Sequence, residues 1–348
     1  MDRRFLAIDG RGTLSVEQEP MPPFGPAEAL VDVHASLISP GTEMGGVKNR
    51  RMHPSDAPPR GFGYSNAGVA LDVGDACAPI TPGQRLACMG IVYDAPHSTL
   101  GNCPTNLAFP IPDALSFEDA SFNHLAATAL NAVRRMEPQL GEFVAIVGLG
   151  IVGQVAAQLA RLSGARVIGL DRIPMRLDLA TQLGAHAVVN VDEQDPVETV
   201  NALTGGYGLD AAMMCFGGDG TAAFEMLLKM MKTTPDTHQM GRVVVPGGCR
   251  INTSFAAHAG NIDLRSAART GPGFLDDDWE HGADYTPVFI QWTTRRNVQL
   301  CLDLMVEGRL RVSQLITHRV GLDDAPAACE ELIQHPERAL GVVVLPQK

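Results

Sequence analysis

The chain has 348 residues, 45% hydrophobic and 19% charged, with 36 glycines and 24 prolines; that length suits two domains, each able to bury its own core, and that composition suits many tight turns. A formal net charge of -12 leaves no basic face that could neutralise a phosphate backbone or an anionic bilayer, so no nucleic-acid or membrane partner is expected and a small-molecule substrate is. The N-terminus and the rest of the chain lack an apolar run of signal-peptide or membrane-span length, and the seven cysteines form no Cys-x-x-Cys pair; a cytoplasmic protein with reduced thiols is expected.

Residues 1–120 carry short apolar alternations, among them Ala29-Leu30-Val31-Asp32-Val33, Gly68-Val69-Ala70-Leu71 and Arg85-Leu86-Ala87, separated by turn residues. They read as a mostly β domain. At Ser116-Phe117-Glu118-Asp119 a helical pattern begins and continues through Ala126, Ala129, Leu130 and Val133, which marks a boundary. From Glu142 the chain alternates strand-length apolar runs with helices: FVAIVG, QVAAQLARL, RVIGLD, RLDLATQL, AVVNV. This is the grammar of a parallel, doubly wound sheet. Asp195-Pro196 supplies a helix start and Gly205-Gly206 its end. The polar insertion FLDDDWEHGADY reads as a solvated loop, with a lid or dimer element as the alternative. A further amphipathic helix (Val298, Leu300, Cys301, Leu304, Met305) and the strands LITHRV and GVVVLP close the chain. The expected fold is α/β with three segments: 1–120 in a β domain, 121–285 in a dinucleotide-binding domain, and 286–348 returning to the first.

The strongest chemical signal is Gly148-Leu149-Gly150-Ile151-Val152-Gly153, set between the strand Phe143 to Val147 and the helix Gln154 to Leu162. Gly148 permits the tight turn, Gly150 lets the backbone approach a pyrophosphate, and Gly153 lets helix and strand pack closely, with the phosphates at the helix N-terminus. Asp171 ends the next strand, about 20 residues on, where a carboxylate accepts hydrogen bonds from ribose hydroxyls and repels a 2'-phosphate. NAD is therefore expected over NADP, although Arg172 and Arg176 follow immediately and a guanidinium there suits NADP.

With the β domain first, the GLGIVG domain in the middle and a tail beginning LITHR, the chain resembles the medium-chain dehydrogenase/reductase superfamily of alcohol dehydrogenases and quinone reductases. The resemblance implies a GroES-like catalytic domain, a Rossmann domain and a homodimer or homotetramer. It also implies that Thr128 touches the nicotinamide; Cys215-Phe216-Gly217 and Pro246-Gly247 end successive strands at the edge where ligands bind in open α/β sheets, so their backbone groups are expected to hold the nicotinamide amide. Zinc-bearing members of that superfamily carry a catalytic cysteine, then a Gly-His-Glu, then a third ligand ahead of the Rossmann domain. This sequence has Ser36-Leu37-Ile38-Ser39-Pro40-Gly41-Thr42-Glu43, then Gly63-Tyr64-Ser65-Asn66-Ala67-Gly68, then Asn123-His124. A zinc site needs three protein ligands and an open position, so no zinc is expected. The LISPGTE and GYSNAG runs, with the Gln291–Asn297 run and Leu315-Ile316-Thr317-His318, resemble a zinc-free branch known as bi-domain oxidoreductases, loosely tied to sugar or polyol metabolism.

Without zinc, another group must handle the hydroxyl proton that accompanies hydride transfer. Tyr64, standing where a ligand histidine stands in relatives, is the first candidate; its ordinary pKa near 10 suits a donor better than a base. The alternative is a tyrosine that packs the vacated metal pocket. Glu43 and Thr42, on what reads as a loop, are candidates for binding substrate hydroxyls, or for capping that loop. His124 titrates in the range for proton exchange at neutral pH, or is structural, as His97 and His318 are expected to be. Three functional readings follow: a zinc-independent NAD(H) dehydrogenase acting between a secondary alcohol and a ketone on a polyol or sugar-like substrate; an enone or quinone reductase of the same superfamily; and a non-catalytic NAD(H)-binding sensor.

Overall fold

In the computed structural model, which describes residues 1–77, 79–90, 97–254 and 258–348, the chain divides into two compact units: Met1–Ala127 with Thr270–Lys348, and Thr128–Arg269. Both the short segment 121–127 and the segment 270–285, assigned from sequence to the dinucleotide domain, group with the first unit. Side-chain anchoring accounts for this. Asn123 donates to the carbonyls of Asn66 and Cys88, and Asn106 donates to the carbonyls of Trp279 and Ala283. The insertion is accordingly not the solvated loop that its charge suggests, since Trp279 and Glu280 within it are buried.

The first unit is built on a seven-stranded sheet in the order Ile316–Gly321, Gly341–Leu345, Glu28–Leu37, Ser65–Val73, Arg85–Met89, Ala108–Pro110, with Leu100–Pro104 also paired to Glu28–Leu37. A three-stranded sheet of Leu14–Pro20, Asp2–Ile8 and Arg60–Gly61 completes it. Pairing of the last strand with Glu28–Leu37 is what returns the tail to the first unit. Two helices share a core here: Met44 and Val47 of Thr42–Met52, and Ala325, Ala328, Cys329 and Leu332 of Ala325–Gln334. Burying each of the larger side chains contributes roughly 1.5–3 kcal/mol. That core seats the start of the Thr42–Met52 helix, a helix that Pro40, Gly41, Gly45 and Gly46 disguise in the sequence.

The second unit is a six-stranded parallel sheet in the order Ala187–Asn190, Arg166–Asp171, Phe143–Val147, Ala211–Met214, Met240–Val245, Asn261–Ser266. Numbered along the chain this is 3-2-1-4-5-6, the doubly wound dinucleotide-binding order, whose crevice opens where the order reverses. Reversal falls between Phe143–Val147 and Ala211–Met214, which places Gly148 and Cys215 at the crevice. The helical pattern after Ser116 is two helices, Phe117–Ala120 and Asn123–Met136. The Ser65 hydroxyl takes the Ser121 carbonyl at 2.6 Å, diverting it from a continuous helix. Among the described residues no helix is long and apolar enough to cross a membrane.

Candidate active site

In the parallel-sheet unit, the glycine run turns from strand to helix as its residue types require. Gly148 has φ +88°, and a Cβ there would meet the Cys215 carbonyl oxygen at 3.1 Å. At Gly153 a Cβ would lie 2.0 Å from the Gly148 oxygen, so only glycine lets this helix pack on its turn. Gly150 is different: a Cβ there would meet nothing within 4 Å. The fold itself therefore does not demand glycine at Gly150, and the open space over that backbone fits the approach of a pyrophosphate to the N-terminus of the helix Ile151–Leu162. Its first-turn amides have no partner within the helix.

Asp171 closes the turn from the neighbouring strand. Its Oδ2 accepts the Leu149 N–H at 2.7 Å, and its Oδ1 accepts the N–H groups of Arg172 at 2.7 Å and Ile173 at 3.0 Å. A carboxylate offers about four lone-pair sites, so a single acceptor position remains for a ribose hydroxyl rather than the pair expected from sequence. Gln154 ties the same turn to the next helix through the Arg176 carbonyl at 2.7 Å. Arg172 is exposed and Arg176 half-buried; burial lowers the Arg176 pKa while the Asp171 charge raises it. Cys215 and Phe216 are half-buried and Gly217 is exposed at the end of one strand, with Pro246 half-buried and Gly247 exposed after the next. Burial pushes the Cys215 thiol up to about 12, which keeps it neutral. Thr128 is half-buried.

In the β-rich unit, the rings of Tyr64 and His124 pack at an incline with centroids 4.3 Å apart, and Phe274 meets the same imidazole edge-on at 5.1 Å. Burial alone pushes His124 down to about 3. The imidazole is therefore neutral throughout the physiological range and does not exchange protons at neutral pH, contrary to the sequence expectation. Tyr64 is pushed the other way: burial, then the nearby Glu43 charge, raise its pKa, while hydrogen bonds with the Ser39 and Thr42 side chains oppose them. A buried phenol of this kind stays protonated and serves as a donor.

Thr42 and Glu43 do not lie on a loop; they form the first turn of the Thr42–Met52 helix, Thr42 exposed and Glu43 buried. Glu43 Oε2 accepts the Ser39 N–H at 3.2 Å and meets His97 Nε2 at 2.9 Å. His97 Nδ1 in turn meets Ser36 Oγ at 2.8 Å. The three side chains form one buried chain. Gly63 (φ +118°) lets the backbone pass the His97 ring, which a Cβ would meet at 3.0 Å.

Comparison with known proteins gives a consistent result. A family model described as zinc-binding dehydrogenase matches residues 152–283. The D-guloside 3-dehydrogenase of Shigella flexneri is 28% identical over 66% of this chain and 62% of its own length. An L-threonine 3-dehydrogenase of Bacillus licheniformis is 28% identical over 93% of this chain and 94% of its own. The chain spans 62% to 66% of the length of the first curated relatives that it matches. A crystal structure from Sinorhizobium meliloti 1021, assigned as a zinc-binding dehydrogenase and bound to NADP, superimposes with a TM-score of 0.78 over 99% of this chain and 100% of that one, at 22% identity. The chain is thus similar to proteins of the medium-chain dehydrogenase/reductase superfamily.

At the positions where zinc-bearing members of the superfamily hold their metal, the donors present do not fit one. Tyr64 is a protonated phenol, one Glu43 oxygen is committed to His97 and Ser39, and His124 is wedged among aromatic rings. Among the described residues no group of three or more His, Cys, Asp or Glu side chains is arranged to hold a metal. The β-rich unit thus gathers Tyr64, Thr42, Glu43 and His124 into one neighbourhood, and the sheet unit gathers the glycine run and Asp171 into another. His318 lies apart, on Thr317. Sequence reasoning missed Ser36, His97 and Phe274. Ser36 and His97 come from separate strands and loops with no spacing motif to betray them; the closely placed glycines of Gly271-Pro272-Gly273 hinted that Phe274 is carried on an unusual turn.

Proposed function

We propose that the protein is a zinc-independent, NAD(H)-dependent oxidoreductase of this superfamily that interconverts a secondary alcohol and a ketone on a polyol or sugar-like substrate. The observation that carries this reading is Tyr64: a protonated hydroxyl, set by Ser39 and Thr42, where relatives hold a metal ligand. It can donate a hydrogen bond, and then a proton, to the oxygen of a carbonyl as that oxygen gains charge, which is the task zinc performs elsewhere. Bound on the glycine turn, the nicotinamide supplies or accepts the hydride. Gly148, Leu149, Gly150, Ile151, Val152 and Gly153 hold the pyrophosphate. Thr128 and the strand-end residues Cys215, Phe216, Gly217, Pro246 and Gly247 hold the nicotinamide.

Asp171 supports NAD over NADP, because a buried carboxylate beside the ribose site repels a 2'-phosphate; Arg172 is the residue best placed to oppose that preference. The polar character of Thr42, Glu43 and Ser65 supports a hydroxylated substrate. The two relatives named as 3-dehydrogenases support the reaction type without supplying the substrate. Fluorescence titration with NADH and NADPH, followed by a screen of polyols, sugars, enones and quinones, tests the proposal. Tighter NADH binding with polyol oxidation is expected. Enone or quinone reduction alone would make it a reductase, and binding without turnover a sensor.

A further inference from the structure

The turn that carries Ser39 is fixed by Glu43. Ser39 donates its N–H to Glu43 Oε2 at 3.2 Å and accepts the Glu43 N–H on its carbonyl at 3.1 Å, so its backbone is tied twice to one residue. The Ser39 and Thr42 side chains of that turn are hydrogen-bond partners of the Tyr64 hydroxyl. Among the described residues Glu43 Oε1 has no hydrogen-bond partner, so the carboxylate is oriented through Oε2. The side chain that meets Oε2 is His97, through Nε2 at 2.9 Å. A carboxylate only accepts, which puts a proton on Nε2. Ser36 Oγ holds the other ring nitrogen at 2.8 Å, and all three side chains are buried.

The same imidazole braces the backbone that leads into Tyr64. The His97 N–H donates to the Phe62 carbonyl at 3.2 Å, and the Phe62 ring meets the imidazole edge-on at 5.7 Å. Gly63, with φ +118°, passes so close that a Cβ there would lie 3.0 Å from the ring. Any other residue at that position would be strained and would push the imidazole away. Phe62 and Gly63 run directly into Tyr64, whose carbonyl accepts the Gly90 N–H at 3.2 Å. His97 therefore contacts both parts of the arrangement: the backbone from which the phenol projects, and the turn whose side chains meet its hydroxyl.

We propose that His97 is a positioning residue for the Tyr64 hydroxyl, holding the Phe62–Gly63 backbone and the Ser39–Glu43 turn in one register so that the hydroxyl is aimed at the substrate oxygen. This rests on the dehydrogenase reading above, in which that hydroxyl donates to substrate; His97 acts through Tyr64 and not on substrate itself. An imidazole suits the task, because a rigid ring with a nitrogen on each side can bridge Ser36 and Glu43 while its flat shape admits a close backbone. A donor misplaced by about 1 Å can cost about a hundredfold in rate. Loss of the brace is therefore felt in turnover, whereas the glycine run proposed to hold the cofactor belongs to the other unit and is untouched.

Two substitutions separate the chemistry of the ring from its volume. His97→Phe keeps a flat ring and removes both nitrogens, and His97→Gln keeps a donor that can reach Glu43. In protein labelled with ¹³C-tyrosine, the Tyr64 Cζ signal is the one of four that vanishes in Tyr64→Phe, and its position reports the hydrogen bonding of the phenol. His97→Phe should move that signal and lower kcat for alcohol oxidation by at least about tenfold with NADH affinity unchanged; His97→Gln should recover most of both. In a Tyr64→Phe background, His97→Phe should cost no further kcat, whereas a merely structural role would lower kcat in both backgrounds alike. Ser36→Ala loosens the imidazole without replacing it; it should move the same signal, and it reads the same link should His97→Phe fail to fold. A Tyr64 signal unmoved in Ser36→Ala or in folded His97→Phe, or kcat losses that multiply with Tyr64→Phe, would overturn this inference alone. Absence of any alcohol oxidation by the wild-type protein would overturn the dehydrogenase reading and this inference together.

Discussion

The rings of Tyr64 and His124 lie 4.3 Å apart, inclined at 53°, so each buries one face of the other. This mutual burial explains why the two side chains carry opposite perturbations. Burial suppresses the charged form of each, which raises a phenol and lowers an imidazole.

In the proposed function the Tyr64 hydroxyl is the donor, while its ring packs on His124. Tyr64→Phe keeps the ring and removes the donor. NADH affinity should be unchanged and kcat should fall by at least about tenfold. Steady-state kinetics beside a fluorescence titration separate the two, and unchanged turnover would reduce Tyr64 to packing.

His124 links this packing to stability. Its pKa is about 3 in the folded protein against 6.5 for an unperturbed histidine. Between those values the unfolded chain binds a proton that the native protein does not, so stability falls as pH drops from 6.5 toward 3. The slope contributed by this one group is at most about 1.4 kcal/mol per pH unit. His124→Phe should flatten that part of the urea-unfolding profile, and an unaltered slope would show that the imidazole is not desolvated.

Gly150 and Gly153 make opposite predictions from the same motif. At Gly153 an alanine Cβ collides with the Gly148 carbonyl, so Gly153→Ala should lower the thermal midpoint as well as NADH affinity. Gly150→Ala meets nothing in the protein; its midpoint should match the wild type while NADH binding weakens. Retained NADH affinity in Gly150→Ala would remove the pyrophosphate from that position.

Asp171 organises the turn and, in the proposed function, favours NADH over NADPH. Asp171→Asn removes the charge, so the preference for NADH over NADPH should narrow by roughly tenfold, about 1.4 kcal/mol. Isothermal titration with both cofactors reads this directly. An unchanged ratio would assign the preference to Arg172 or Arg176 instead.

The sheet unit was largely legible in the sequence because its signals are local. The glycine run has its strand before it and its helix after it, the next strand ends at Asp171, and the Asp195 cap accepts from the Val197 and Glu198 N–H groups as its residue type demands. The β-rich unit was less legible where contacts are distant. Glycines hid the Thr42–Met52 helix, which is stabilised by a core shared with a helix near the C-terminus. Charge made 274–285 look solvated, although Trp279 and Asn106 pin it down. His97 gave no sign of its tie to Glu43, since the two are brought together only by folding, 54 residues apart. Residue type alone also misjudged His124, whose proton affinity is set by surroundings that no neighbour in sequence supplies.

In the proposed function Tyr64, rather than a metal, handles the substrate oxygen. The most direct measurement is the rate of NAD-dependent polyol oxidation before and after exhaustive dialysis against a chelator, with metal content determined on the same sample. An unchanged rate in metal-free protein is expected. A rate that disappears on chelation and returns with added zinc would contradict it.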